Sequence, residues 1–313
     1  MPEMTYRHLG RSGLMVSTVG LGCNNFGMRI DADATKAVVA AALDNGITMF
    51  DTSDSYGDSE LFLSAALGSR RDEVVIATKF GTDLRGANGP DWGARGSRRY
   101  IRTAVERSLS RLGTDYIDLY QIHMPDPSTP IEETLSALTE LVHEGKIRYL
   151  GNSNFSGWQI ADADWVARTG HHERFISAQN HYNLIDRAAE KDVLPACERF
   201  GLGQLPYFPL ASGLLTGKYQ RGVPAPADGR IAAWHMDSML SDANFDKVEA
   251  LAAFADERGL SLLQVALGGL ASRPTVASVI AGATTPEQIT ANVEAGLWGP
   301  STEDLASLEM ILR

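Results

Sequence analysis

The sequence predicts an α/β chain folded as one (β/α)8 barrel of the TIM type over residues 1–313, and three observations carry that expectation. Short runs rich in Val, Ile and Tyr alternate with longer stretches of helical period, the order of parallel β–α units. The runs number eight, and eight such units in 313 residues match a closed barrel. An open dinucleotide-binding sheet would carry a glycine fingerprint, and none is complete. "GLGCNN" has Asn25 where the third glycine belongs, "GLGQLP" has Pro206 there, and neither leads directly into a helix.

Residues 1–16 contain "YRHLGRSGLMV", two short strands around Gly10 to Gly13 that form a hairpin capping one end of the barrel. The barrel runs follow: "STVGLG" (17–22), "ITMFD" (47–51), "VVIATK" (74–79), "IDLYQIH" (117–123), "RYLGNS" (148–153), "ISAQN" (176–180), "GQLPYFP" (203–209) and "ASVIAG" (277–282). Between them, "DADATKAVVAAALDNG" opens on an Asp cap and closes on Gly46. "RRYIRTAVERSLSRLG" puts Ile101, Val105, Leu109 and Leu112 on one stripe and stops at Gly113. "PIEETLSALTELVHEGK" starts at Pro130 and ends near Gly145, and "AEKDVLPACERFG", "DKVEALAAFADERG" and "PEQITANVEAG" repeat the theme. The loop after the seventh strand, 213–243, holds several Pro and Gly and little periodicity, which marks a long functional loop.

A formal net charge of −11 argues against a general binder of nucleic acid or anionic membrane, which needs clustered Lys and Arg. Apolar runs such as "AVVAAAL" are too short to span a bilayer, and "MPEMTYRHLGRSGL" lacks the apolar core of a signal peptide. Two cysteines, Cys23 and Cys197, make no disulfide framework. A cytoplasmic protein is expected.

In a (β/α)8 barrel the chemistry sits at the carboxyl ends of the strands. There the sequence places Asp51, Lys79 and His123, with Tyr56 five residues beyond Asp51. Any one of these at a strand end is ordinarily a solvated or capping group. Together they can donate a proton from a phenol. A free tyrosine titrates near 10, and an ammonium about 4 Å away at an effective dielectric near 20 favours the phenolate by up to about 4 kcal/mol. Asp51 would hold that ammonium charged, and a neutral or charged His123 would orient the reacting oxygen. None of the four is a strong nucleophile, so the group that adds to the carbonyl comes from elsewhere. A nicotinamide hydride fits.

"FDTSDSYG", "VVIATKFG", "YIDLYQIH", "GNSNF", "SAQNHYNL", "PYFPLASGLLTGKY" and "VIAGATTPEQITANV", in that order, resemble the aldo-keto reductases over residues 5–300. The resemblance implies an Asp51, Tyr56, Lys79 and His123 tetrad and an NADP(H) cofactor, with NADH possible, acting on a small-molecule carbonyl or alcohol. It assigns Ser153, Asn154 and Gln179 to the nicotinamide carboxamide and Tyr207 to stacking on its ring. The run from Leu210 to Lys218, with Pro209 before it and Ser212, Leu214 and Gly217 within it, would wrap the pyrophosphate. Arg230 and Lys218 would reach the adenosine phosphate, and Gln288 and Asn292 the adenosine. Gly22, Cys23, Asp51 and Gly282, at strand ends, complete the expected cofactor contacts, although Cys23 also reads as a small core filler.

The chain also departs from that family. Phe208 stands where a serine is common, and Met124 where a larger or charged residue is. Gly282, Ala283 and Gln288 occupy places that often carry cations. The loop "LRGANGPDWGARGSRR" (84–99) is expected at the catalytic mouth, as a substrate lid carrying Trp92 or, alternatively, as a mobile surface segment. No metal is expected, since "HHE" at 171–173 lacks a third ligand. The alternative to an enzyme is a cofactor-binding regulatory subunit resembling the channel β-subunits of the same fold.

Overall fold

The computed structural model describes residues 3–226 and 229–312; residues 1–2, 227–228 and 313, which fall in the expected hairpin segment, the 213–243 loop and the C-terminus, lie outside the described residues. Strands β1 (Tyr6–His8) and β2 (Met15–Ser17) pair antiparallel as the hairpin. Eight strands then form one parallel sheet: β3 (Val19–Gly22), β4 (Met49–Asp51), β5 (Val75–Phe80), β6 (Ile117–Ile122), β7 (Ile147–Ser153), β8 (Phe175–Gln179), β9 (Gly203–Gln204) and β10 (Val279–Gly282). Their order is β10-β3-β4-β5-β6-β7-β8-β9, so the last strand pairs with the first. The sheet is curled. Backbone bonds from Gln204 N to Thr275 O and from Ala277 N to Gln204 O link β9 to the segment entering β10.

Helices α1 (Ala32–Asp44), α2 (Ser59–Leu67), α3 (Arg98–Leu112), α4 (Ile131–His143), α5 (Gly157–Gly170), α6 (Val193–Phe200), α7 (Arg230–Ala233), α8 (Asp242–Glu257), α9 (Leu262–Ala271), α10 (Pro286–Gly296) and α11 (Thr302–Ile311) surround it. The start and stop signals work as expected. Asp31 caps α1 by accepting from Ala34 N, and α3 buries its Ile101, Val105, Leu109 and Leu112 stripe before ending on Gly113 at φ +60°. Helices α5 and α9, which periodicity did not single out, open on capping boxes, Ser156 with Gln159 and Ser261 with Gln264.

Two expected elements come out differently. The seventh run, 203–209, is regular strand only at Gly203–Gln204; beyond it Leu205 N and Tyr207 N still donate to Ala178 O and Asn180 O, Pro206 and Pro209 have no N–H to donate, and Tyr207 makes one isolated bridge, to His181. The 213–243 loop contains short helical turns at Ala211–Thr216, α7 and Asp237–Leu240, and α8 begins inside it. These turns are held by buried anchors, Tyr219 and Ile231, which no local period announces.

Strand alternation places the site. Along β4 and β5, Met49, Val75 and Ala77 pack on the inner face against Leu119, Ile280 and the hairpin's Leu9 and Val16, while Phe50, Ile76 and Phe80 join the core under the helices. Successive side chains in a strand face opposite ways. Asp51 and Lys79 therefore continue the inner face one step beyond the apolar plug, at the carboxyl end.

Candidate active site

Four of the expected residues meet there. Lys79 Nζ donates to Asp51 Oδ2 at 2.6 Å and to Thr52 O at 2.8 Å, with Lys79 and Asp51 both buried. The other Asp51 oxygen accepts from Gln179 Nε2 at 2.8 Å and Gln121 Nε2 at 3.3 Å. The ammonium lies 5.1 Å from the Tyr56 ring centre. Tyr56 and His123 meet edge to face with ring centres 5.9 Å apart.

The electrostatics correct one expectation. Burial pushes the Tyr56 phenol above its ordinary value, and Lys79 only opposes that rise. A desolvated phenolate costs more here than one neighbouring ammonium returns. Burial pulls the Lys79 ammonium down, but Asp51 and Tyr56 together carry it above its usual value, so it stays charged. Burial, and then the Lys79 charge, lower His123 to about 3, which makes the imidazole neutral at ordinary pH.

Beside the four lies a cavity of about 680 Å³. Gly22, Asp51, Tyr56, His123, Ser153, Asn154, Gln179, Tyr207, Pro209, Leu210, Ser212, Lys218, Arg230, Gly282, Gln288 and Asn292 line it. Lys79 sits behind Asp51. Three expected contacts fall elsewhere. Cys23 is fully buried with Sγ against Leu21 O, Leu214 is fully buried in the apolar core, and Gly217 is exposed at φ +80°. The lid expectation is also corrected: Trp92 is 72% exposed and stacks under the Arg99 guanidinium rather than lining the cavity. Its loop is tied down instead by Asn88, which donates to Asp54 Oδ2 at 3.0 Å.

The cavity has walls that sequence reasoning passed over. Asn25, noticed only as a failed glycine, accepts from Arg230 Nη2 at 2.9 Å and donates to Ala283 O at 3.2 Å. Trp234 and Phe208 hold the Arg230 guanidinium between them, 4.9 and 5.6 Å from their ring centres. Nothing local in "RIAAW" signals that arrangement. Arg29 and Asn24 line the same space.

The residues present fit a dinucleotide. Ser153, Asn154 and Gln179 offer hydroxyl and amide groups with both donors and acceptors, as a carboxamide needs. Phe208, Ala211, Ser212 and Gly213 all take positive φ, a strained backbone of the kind that cradles phosphates. Gly213 turns at φ +98°, a conformation that residues with a side chain rarely adopt, so this position favours glycine. Three cations, Arg29, Lys218 and Arg230, line the cavity that Gln288 and Asn292 share.

A sequence model of the Aldo/keto reductase family matches residues 18–313. The chain belongs to the aldo/keto reductase family. Its aldo/keto reductase relatives include a protein named probable voltage-gated potassium channel subunit beta from Oryza sativa subsp. japonica, 40% identical over 93% of this chain and 91% of the relative. One of the same name from Arabidopsis thaliana is 38% identical over 93% of this chain and 91% of its own length. The L-glyceraldehyde 3-phosphate reductase of Escherichia coli O157:H7 is 36% identical over 98% of this chain and 92% of the relative. Among the described residues, no helix of this aldo/keto reductase is long and apolar enough to cross a membrane, and no cluster of three His, Cys, Asp or Glu is placed to hold a metal ion.

Proposed function

We propose that this chain, one closed (β/α)8 barrel domain, is an NADPH-dependent reductase of aldehyde or ketone carbonyls, with Asp51, Tyr56, Lys79 and His123 as its catalytic set. The observation that carries the reading is the buried Lys79–Asp51 pair beside Tyr56 and a neutral His123 at one cavity. Bound NADPH would supply a hydride to the carbonyl carbon. As charge develops on the carbonyl oxygen, Tyr56 gives it the phenolic proton, and the Lys79 ammonium stabilises the phenolate left behind. A neutral His123 has one N–H with which to orient that oxygen. Asp51, held by Lys79, Gln121 and Gln179, keeps the ammonium in place.

Ser153, Asn154 and Gln179 would hold the carboxamide, Tyr207 would stack on the ring, and the strained run from Phe208 to Gly213 would wrap the pyrophosphate. Lys218 and Arg230 favour NADPH over NADH, since each charge-assisted contact to a 2′-phosphate is worth about 1.5–3 kcal/mol. Two free, buried cysteines fit a reducing cytoplasm.

The names of the rice and Arabidopsis relatives favour a second reading, a cofactor-binding regulatory subunit with little turnover. NADPH oxidation against a panel of aromatic aldehydes, dicarbonyls and phosphorylated aldehydes separates the two. Turnover of about 1 s⁻¹ or more on any of them supports the reductase. Tight NADPH binding without turnover on the whole panel would overturn it in favour of the regulatory role.

A further inference from the structure

Ser53, fully buried two residues after Asp51, holds its hydroxyl among four polar atoms. These are His123 Nδ1 at 3.2 Å, Ser55 Oγ at 2.8 Å, the Ser55 backbone N at 3.2 Å and Asp54 Oδ1 at 3.4 Å. A hydroxyl has one hydrogen and two lone pairs. The Ser55 N–H donates into one lone pair. Where the Ser55 hydroxyl donates into the other, with water serving its own lone pairs at that half-buried position, the half-buried His123 has Ser53 as the partner of its Nδ1. With both lone pairs filled, Ser53 cannot accept from an Nδ1–H. Its hydrogen goes to Nδ1.

We propose that Ser53 is a positioning residue that holds His123 in the Nε2–H tautomer, so that the imidazole presents an N–H donor to a carbonyl oxygen in the cavity, a role that rests on the carbonyl-reductase reading of the site. The opposite tautomer would turn the Nε2 lone pair toward the carbonyl lone pairs and repel the substrate. A neutral ring makes the tautomer decisive, and burial and Lys79 keep His123 neutral.

Asp54 is the competitor for the Ser53 hydrogen, and it competes poorly. Its 3.4 Å contact is at the outer edge of hydrogen-bonding distance. Burial, then the Glu60 carboxylate, push the Asp54 carboxyl up to about 7 against the pull of Arg111, Asn88 and Ser53. Tyr100, which shares Asn88, and fully buried Tyr120 are its remaining titratable neighbours. A carboxyl that is neutral below pH 7 draws little on a neighbouring hydroxyl.

The tautomer is read directly from the ring nitrogens of ¹⁵N-histidine-labelled, cofactor-free protein, with the His123 signals assigned by their loss in His123→Gln. Wild type should show a pyridine-like Nδ1 and a protonated Nε2. Ser53→Ala should give a mixture of tautomers and lower kcat about 3- to 10-fold with NADPH affinity unchanged. Ser53→Thr, which keeps the hydroxyl, should restore both; Ser53→Cys, with a weak donor, should fall between and serves if the added methyl of Thr disturbs the fold. An Nδ1–H tautomer in wild type, or an unmixed Nε2–H tautomer in Ser53→Ala, overturns the proposal. Because the spectra need no turnover, failure of the reductase reading leaves this test standing. Unchanged tautomers in an active enzyme sink Ser53 alone.

Discussion

The two oxygens of Asp51 gather side chains from three strands: Oδ2 accepts the Lys79 ammonium from β5 at 2.6 Å, and Oδ1 accepts the Gln179 amide from β8 at 2.8 Å and the Gln121 amide from β6 at 3.3 Å. One carboxylate thus ties a buried cation to a residue on the cavity wall expected to meet a carboxamide. Loss of Lys79 should therefore be felt in folding as well as in rate. Lys79→Met leaves the Asp51 charge buried without its counterion, at a cost of about 3–5 kcal/mol in denaturant unfolding. The alkaline limb of kcat should also move to higher pH, since Lys79 opposes the burial that raises Tyr56. An unchanged stability together with an unchanged limb would mean that the pair is neither structural nor catalytic.

Tyr56→Phe should bind NADPH as wild type does and lose about 10²–10⁴-fold in carbonyl reduction. Fluorescence titration and steady-state rates check the two halves separately. More than a tenth of the wild-type rate would remove Tyr56 as the proton donor.

Asp54 should make stability depend on pH. Its folded value is raised from 3.8 to about 7, so ionisation disfavours the folded state. The penalty is absent below about pH 4, grows as pH rises, and is complete above about pH 7. Asp54→Asn removes it while keeping an oxygen for Asn88. The variant should gain up to about 4 kcal/mol over wild type at pH 8 and almost nothing at pH 4. Equal differences at the two pH values in urea unfolding would show that Asp54 is not held as a raised carboxyl.

Arg230 is bound to neutral oxygens of Asn24 and Asn25 and flanked by Phe208 and Trp234, which leaves its charge uncompensated by any of these four neighbours. Arg230→Ala should weaken NADPH by about tenfold or more and NADH far less. Equal weakening of both would assign Arg230 to the loop's architecture rather than to phosphate recognition.

Local pattern was enough for much of this molecule. Period-two alternation in "MFD" and "VIATK" puts Met49, Asp51, Val75, Ala77 and Lys79 on one face, because successive side chains of a strand must point opposite ways. The same logic brought Gln179 and Ser153 to the cavity, and caps such as Asp31 and Gly113 bounded the helices between them. Tertiary structure decided what depends on distant neighbours. Whether Lys79 could bring Tyr56 down turned on desolvation, a property of everything packed around the phenol and of no motif. Trp92 lies against Arg99 and outside the cavity lining, which Trp234 and Asn25 join from segments about 200 residues apart. The hydrogen bond between Ser53 and His123 spans 70 residues. Periodicity reports which way a side chain leaves its own backbone, and only the closed packing of the chain reports what it meets.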